Sequence, residues 1–90
     1  MLRLKLSKDA ARFVTTRQPK HQRQIAEKLQ AMRENPAPAD SEAIKGSTGA
    51  FRRASVGEYR IIYRAEDDVL YVSVVGKRND DEVYRRFKRR

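Results

Sequence analysis

The chain has 90 residues, of which 39% are apolar, and its 21 Lys and Arg residues exceed its 12 Asp and Glu residues to give a net charge of +9. A chain of this length builds one domain, and without cysteine it forms neither a disulfide framework nor a thiolate metal site. No stretch approaches the ~20 apolar residues of a membrane span, so we expect a soluble, cytoplasmic protein with no membrane partner. The basic excess favours a polyanion such as nucleic acid as partner, with solubility or an acidic protein partner as the alternative.

Residues 1–35 carry the pattern of one strand followed by two helices. Leucines alternate with basic residues over positions 1–6, which predicts a strand with one buried face. Ser7 is suited to cap a short first helix, and Pro19 suits the first turn of a second helix that ends at Asn35, before a proline. His21 lies near the start of the second helix without companion ligands, and we interpret it as a solvated helix residue.

The remainder of the chain predicts a loop, an antiparallel meander of three strands and a last helix. Proline, glycine and serine mark residues 36–50 as a loop. Extended segments follow at 51–55, 58–66 and 69–75, and the third is apolar on both faces, which is typical of the central, most buried strand. Acidic residues 80–82 then begin a helix whose dipole is complemented at the other end by cations. Those cations are Arg85, Arg86, Lys88, Arg89 and Arg90.

Side-chain alternation in the segment 58–66 predicts two different faces. One face is expected to join the core, and the other is expected to carry charge. The first holds Tyr59, Ile61, Tyr63 and Ala65, and the second holds Arg60, Ile62 and Arg64. The element order predicts a single α+β domain over residues 1–90, in which an N-terminal strand and a helical hairpin pack on a small antiparallel sheet with a C-terminal helix.

The candidate functional side chains in the sequence are positively charged groups and phenols. It contains no zinc-protease motif, no Ser/His/Asp set and no isolated carboxylate pair, so we expect no metal and no cofactor. Arginines and a tyrosine near strand ends suit the binding of a phosphodiester and the stacking of a base. Such a site can also cleave RNA through the neighbouring 2′-hydroxyl, because arginines stabilise the charge of the phosphorane. Arginine stays charged and tyrosine titrates near ~10, so the sequence leaves the proton transfers unassigned.

Three runs of residues resemble a known family. GKRNDDEVY (residues 76–84), VGEYRIIYR (residues 56–64) and the Lys45–Gly46 pair look like the RelE branch of the RelE/ParE superfamily of bacterial toxins. The resemblance extends over essentially the whole chain. It implies a microbial-ribonuclease-like fold and a toxin that enters the ribosomal A site, cleaves messenger RNA there and inhibits translation. It also implies a cognate antitoxin protein with an acidic or amphipathic segment, and operator DNA bound only through the toxin–antitoxin complex.

The resemblance assigns roles to individual residues. Arg60 matches an arginine taken to stabilise the transition-state phosphate, Arg78 matches one implicated in transition-state or leaving-group stabilisation, and Tyr84 matches a tyrosine that stacks on or activates the attacking nucleotide. These three are the expected catalytic residues. RNA binding is expected from Arg52, Arg53, Ser55, Lys77 and Arg64. The family pattern commonly has two basic residues separated by one, and here Arg53 fits the first position while Ser55 occupies the second. Arg52 is an adjacent cation that is expected to compensate for the missing basic residue.

Alternative interpretations remain for the function and for single residues. A ParE-like inhibitor of DNA gyrase has the same fold without ribonuclease activity, and Ser55 favours a catalytically weakened chain that acts mainly in an antitoxin-bound, DNA-binding complex. Arg60 and Arg64 are also typical of ordinary solvent-facing strand cations. Tyr84 is also suited to pack the last helix on the core, and Arg53 to pair with Glu58.

Overall fold

The computed structural model describes residues 1–46, 50–78 and 82–88. The four strands and three helices that the sequence predicts follow one another in the predicted order, and one additional two-residue strand brings the strands of the described residues to five. They are β1 (Arg3–Leu6), α1 (Lys8–Thr15), α2 (Pro19–Glu34), β2 (Glu42–Ala43), β3 (Arg52–Val56), β4 (Tyr59–Glu66), β5 (Val69–Lys77) and α3 (Glu82–Lys88). Asp80, Asp81, Arg89 and Arg90, which were predicted to lie in or next to the last helix, fall outside the described residues. Within the described parts of the chain, no helix is both long enough and apolar enough to cross a membrane.

The five strands form one sheet in the order β1-β5-β4-β3-β2. The meander of β3, β4 and β5 is antiparallel as predicted, and the α+β class is confirmed. The sheet is mixed rather than purely antiparallel, because β1 pairs with β5 in parallel, with Leu4 opposite Leu70. The parallel direction is compatible with the long connection, since β5 is reached only after both helices and the meander. β5 is an interior strand as its apolar run indicated, but β4 occupies the middle position.

The main core lies between the sheet and the helical hairpin of α1 and α2. Ile25 and Ile61 are fully buried within it, and full burial of such a side chain contributes about 1.5–3 kcal/mol. Its buried members are Ala10, Ile25, Leu29, Met32, Ala54, Tyr59, Ile61, Tyr63, Leu70, Val72 and Val75. The prediction that alternate residues of β4 face the core is therefore confirmed for Tyr59, Ile61 and Tyr63, but it is wrong for Ala65, which lies near the end of the strand and is exposed. In the edge strand β1, Leu4 stays 37% exposed.

A smaller apolar cluster covers the opposite face of the sheet. Ile62, Val74 and Val83 are fully buried there, because α3 packs across β4 and β5. The expectation that the second face of β4 only carries charge is thus wrong for Ile62. Gly76 permits this packing, since a Cβ added at that position would lie 3.3 Å from Cβ of Val83 and 3.1 Å from the guanidinium of Arg86.

The basic side chains of α3 do not form a uniformly solvated end of the chain. Arg86 is only 12% exposed, and its guanidinium makes a two-pronged ion pair with Asp9 at 2.7 and 3.1 Å. Arg85 pairs with Glu82 within the helix. The Arg86–Asp9 pair therefore joins α3 to α1, a contact between residues 77 positions apart that no local pattern indicates.

His21 is not the solvated helix residue that its isolation in the sequence suggested. Its ring is half-buried, and Nδ1 lies 2.6 Å from the hydroxyl oxygen of Tyr59 and 3.3 Å from the carboxylate of Glu58. The ring also meets the Tyr59 ring edge-to-face, with 5.4 Å between centroids. His21 therefore joins the second helix to the start of β4.

Ser7 connects the first helix to the bulged part of β5. Its hydroxyl accepts a hydrogen bond from the Ala10 amide at 3.0 Å, as predicted for an N-cap, and donates one to the Ser73 carbonyl at 2.6 Å. Ser73 is the extra residue of β5, since Ile62 pairs with Val74 and Tyr63 with Val72.

Replacing Ser7 with alanine is expected to lower the free energy of unfolding by about 2 kcal/mol, because the change removes the cap and leaves a buried carbonyl without its donor. Urea unfolding measures the change. Thr15→Ala is the matched control, since its exposed hydroxyl makes a single hydrogen bond to the Arg12 carbonyl. Equal effects of the two substitutions would contradict this role of Ser7.

Candidate functional site

The candidate site lies on the face of the sheet that α3 covers. Successive residues of a strand point to opposite faces, so Arg53 and Ser55 of β3 share this face while their neighbours face the main core. The cross-strand register places Ser55 beside Arg60 and Arg53 beside Ile62. Gly76 of β5 is the partner of Arg60 on its other side and adds no side chain to the face. The strands thus present two arginines and a serine next to the helix that carries Tyr84.

The hydroxyl of Tyr84 is the point at which two guanidinium groups meet. Nη1 of Arg53 donates to it at 2.6 Å, and Nη1 of Arg60 donates to it at 2.9 Å. A phenol oxygen has two lone pairs and one hydrogen, so these two bonds occupy its acceptor capacity and leave its O–H hydrogen available to donate. The guanidinium carbon of Arg60 also lies 5.8 Å from the centre of the Tyr84 ring. The arrangement therefore presents two positive charges and one hydrogen-bond donor together.

Glu42 belongs to the same cluster, although the sequence did not identify it. It lies opposite Arg53 in the two-stranded pairing of β2 with β3, and its carboxylate forms an ion pair with the Arg53 guanidinium. The hydrogen bond to Tyr84 and then the one to Glu42 raise the pKa of Arg53 above its ordinary value. A two-residue strand has no periodic sequence pattern, so only its pairing with β3 shows that the Glu42 carboxylate lies beside Arg53. A cleft of about 260 Å³ opens here, lined by Glu42, Ala43, Ile44, Lys45, Arg53 and Tyr84.

Arg60 is held more tightly than an ordinary surface cation. It is half-buried, and its Nε is fully buried without a hydrogen-bond partner among the described residues. An unsatisfied buried donor costs about 1–3 kcal/mol. Arg60 is therefore partly withdrawn from solvent and bonded to Tyr84, unlike the solvent-facing alternative, although Nε of Arg64 is buried without a described partner in the same way.

Two of the expected RNA-binding residues lie on the other face of the sheet. Arg52 points towards the helical hairpin, where its guanidinium donates to the hydroxyl of Ser41 at 2.8 Å and to the Ser41 carbonyl at 3.3 Å. Lys77 pairs with Tyr59 across the strands and is exposed. The alternation of side chains places both away from Tyr84, so Arg52 does not occupy the space beside Ser55.

Arg64 and Arg78 lie at opposite ends of the sheet from one another. Arg64 shares the face of Arg60, but it pairs with Glu66 at 2.8 Å and lies between the rings of Phe51 and Tyr71, 5.6 and 5.5 Å from their centres. Arg78 follows β5, where its exposed guanidinium donates to the Gly57 carbonyl at 3.3 Å. Among the hydrogen bonds of the described residues, none joins Arg78 to Arg60 or Tyr84. The structure thus groups Arg53, Arg60 and Tyr84 closely. Arg78 lies outside this group, at the end of β5.

Solved structures of bacterial and archaeal toxins share this fold. The isolated RelE toxin of E. coli superposes with a TM-score of 0.75 at 22% identity, over 99% of this chain and 97% of that one. RelE in the archaeal RelE–RelB complex of Pyrococcus horikoshii gives 0.74 at 24% identity, over 87% and 96%. The RelBE2 toxin–antitoxin complex of Mycobacterium tuberculosis gives 0.73 at 18% identity, over 86% and 98%. At these identities the likeness establishes the fold.

Sequence comparison supplies the family. No curated protein sequence is significantly similar to the chain. The family model described as the ParE toxin of type II toxin–antitoxin systems, parDE, matches residues 4–82, which include Arg53, Arg60 and Arg78 and end two positions before Tyr84. The chain therefore belongs to the ParE toxin family of type II toxin–antitoxin systems, within the RelE/ParE superfamily that its sequence motifs indicated.

Proposed function

We propose that the toxin is a metal-independent endoribonuclease that cleaves messenger RNA in the ribosomal A site and so inhibits translation. The observation that carries the proposal is the convergence of Arg53 and Arg60 on the Tyr84 hydroxyl. Two cations beside one hydrogen-bond donor match the charge that develops when a 2′-hydroxyl attacks the neighbouring phosphate. Gyrase inhibition through protein contacts has no need of this arrangement.

Each residue of the Arg53–Arg60–Tyr84 cluster has its own proposed role in cleavage. Arg53 and Arg60 are placed to stabilise the added negative charge of the pentavalent phosphorane. Tyr84 is placed to donate its O–H hydrogen to a phosphate oxygen or to the departing 5′ oxygen. Glu42 is the carboxylate that contacts the cluster, through Arg53, and we propose that it accepts the proton of the attacking 2′-hydroxyl. The bond from the 2′ oxygen to phosphorus forms as the bond to the 5′ oxygen breaks.

Replacing Glu42 with glutamine tests this role, because the amide keeps the size of the side chain but cannot take up a proton under these conditions. We expect cleavage to fall about 10²–10⁴-fold, the usual contribution of a positioned base, while RNA binding stays equal or becomes tighter. Single-turnover cleavage and equilibrium binding provide the two measurements. Glu66→Gln is the control, since Glu66 pairs with Arg64 away from Tyr84. Full activity of the Glu42→Gln toxin would show that Glu42 only neutralises Arg53.

Dependence on the ribosome is a separate part of the proposal. The purified toxin should cut messenger RNA in programmed ribosomes far faster than the same message free in solution. The reason is that, apart from Glu42, the residues of the proposed site act on the phosphate and do not orient the attacking hydroxyl, and orientation contributes strongly to rate. Equal cleavage of free and ribosome-bound message would contradict this part.

An antitoxin is the expected protein partner. Two of the similar solved structures are toxin–antitoxin complexes, RelE with RelB and RelBE2. The net charge of +9 favours an acidic or amphipathic segment as the binding element. We propose that such an antitoxin neutralises this toxin and that the pair, rather than the toxin alone, binds operator DNA.

Gyrase inhibition is the second candidate function, and the match to the ParE family model favours it. The two activities separate in one experiment on the purified toxin. Gyrase supplied with supercoiled plasmid would accumulate cleaved DNA complexes if the toxin acts as a gyrase poison, whereas the ribonuclease leaves the plasmid unchanged. A weakened ribonuclease remains the third candidate, because Ser55 lies directly beside Arg60 where a second basic residue is expected.

A further inference from the structure

A second polar cleft, of about 280 Å³, lies at the end of the sheet on the face of the helical hairpin. It is formed where the link between α1 and α2 approaches the turn between β3 and β4. Its lining includes Thr16, Arg17, His21, Glu58, Tyr59 and Lys77. The cleft is separate from the Arg53–Arg60–Tyr84 cluster, because Tyr59 and Lys77 point to the face opposite that of Arg60.

The guanidinium of Arg17 is held in a fixed direction at the wall of this cleft. Its Nε donates to the Phe13 carbonyl at 3.2 Å, and its Nη2 donates to the Thr16 hydroxyl at 3.0 Å. The guanidinium carbon lies 4.2 Å from the centre of the Phe13 ring. A charge oriented in this way loses little rotamer entropy when it binds an anion.

Lys77 supplies a second positive charge across the cleft. It is exposed and forms no ion pair within the described residues. The floor is polar, since the Tyr59 hydroxyl lies 2.6 Å from Nδ1 of His21. Among the described residues that line the cleft, Glu58 is the one carboxylate; it lies 3.3 Å from the same imidazole nitrogen and is half-exposed. The positive charges of Arg17 and Lys77 therefore outnumber the negative charge of Glu58, and the cleft favours an anion.

The cleft is adjacent to the proposed active site along the strands. Tyr59 pairs with Lys77, and the next pair in the same ladder is Arg60 with Gly76. Successive pairs lie about 3.3 Å apart along a strand, and Arg78 follows Lys77 at the end of β5, where its amide donates to the Glu58 carbonyl at 2.9 Å. A polyanion that passes around this end of the sheet from Arg60 would therefore come close to Arg78 and Lys77.

We propose that this cleft binds a phosphodiester of the RNA strand whose cleavable phosphate is held at Arg53 and Arg60. The inference rests on the proposed ribonuclease function. It adds Arg17 to the substrate-binding residues and assigns Lys77, already expected to bind RNA, to a second phosphate on the opposite face of the sheet. RNA fits better than an acidic peptide, because Arg78 borders the cleft, where its amide donates to the carbonyl of the cleft residue Glu58 at 2.9 Å, and Arg60 lies in the next strand pair. The cleft would thus fix the direction of the strand by engaging a second phosphate.

The test measures binding of the full-length toxin to a short single-stranded RNA whose 2′-O-methyl groups prevent cleavage. Fluorescence anisotropy at several salt concentrations gives both the affinity and its salt dependence. The Arg17→Gln/Lys77→Gln variant should bind about 10-fold more weakly, and its salt slope should be smaller by about 1.4, because each phosphate contact on a single strand contributes about 0.7. Lys77→Gln alone should lose about half of that slope. Lys5→Gln/Arg12→Gln is the control, with the same loss of charge at exposed positions of β1 and α1.

The outcomes separate this inference from the function on which it rests. If the wild-type toxin shows no salt-dependent RNA binding, the cleft assignment is overturned, whereas the ribonuclease proposal fails only if ribosome-bound message is also left uncut. If it binds and Arg60→Gln weakens that binding, while the cleft variant and the control behave alike, only the cleft assignment is overturned. The assignment is also overturned if the cleft variant loses affinity for polyglutamate of equal length but keeps its affinity for RNA.

Discussion

An Arg60→Gln toxin is expected to cleave ribosome-bound message about 10³-fold more slowly than the wild type, the loss typical of removing a preorganised group that stabilises a developing charge. Arg60 donates to the Tyr84 hydroxyl at 2.9 Å, and its guanidinium carbon lies 5.8 Å from the centre of the Tyr84 ring. The neutral amide cannot replace the guanidinium fork, so transition-state stabilisation is lost. RNA affinity should fall only a few-fold, because other cations still contact the backbone. Single-turnover kinetics at saturating ribosome concentration measures the rate.

Arg64→Gln is the matched control for Arg60→Gln. It removes the same charge from the same face of β4, but Arg64 pairs with Glu66 and lies between aromatic rings instead of contacting Tyr84. We expect its cleavage rate to stay within a few-fold of the wild type. If the two substitutions slow cleavage equally, the effect is one of net charge, and the role assigned to Arg60 is wrong.

Replacing Tyr84 with phenylalanine is expected to slow cleavage about 10²-fold or more, as for a lost proton donor. The substitution removes the hydroxyl at which Arg53 and Arg60 meet but keeps the ring that packs against the Ile62–Val74–Val83 cluster. The loss should therefore appear in kcat, while the thermal midpoint and RNA affinity change little. Cells that express the variant should grow where the wild-type toxin arrests translation.

Tyr71→Phe is the control for this substitution, because Tyr71 also lies beside an arginine, Arg64, away from the site. The Tyr71→Phe toxin should cleave ribosome-bound message as fast as the wild type. A Tyr84→Phe toxin with unchanged kcat would mean that Tyr84 acts through its ring alone, by stacking or by packing α3.

Local patterns predicted the elements of the fold because they depend on neighbouring residues. The Ser7 cap, the start of α2 at Pro19 and the alternation of β4 are all observed. The parallel pairing of β1 was not predicted, since a four-residue strand carries no sign of its partner's direction. The burial of Ile62 was not predicted either, because it depends on α3, which lies 20 residues further along the chain.

The candidate site could be predicted in part, and the rest depended on strand pairing. Arg53, Arg60 and Tyr84 were expected from the resemblance, and the structure brings their polar atoms together. Strand alternation alone separates Arg52 from Arg53, but proximity in sequence suggested that both serve one site. Glu42 could be assigned to the site only from its pairing with Arg53, since nothing in the sequence of a two-residue edge strand indicates a function.

Mapping of messenger ends by primer extension in cells expressing this toxin tests the central claim most directly. The account predicts cuts at positions occupied by translating ribosomes, absent when the Arg60→Gln toxin is expressed at the same level. Gyrase–DNA complexes from the same cells should stay at the level of cells without toxin. Intact messenger together with trapped gyrase–DNA complexes would contradict the ribonuclease proposal and assign the toxin to gyrase.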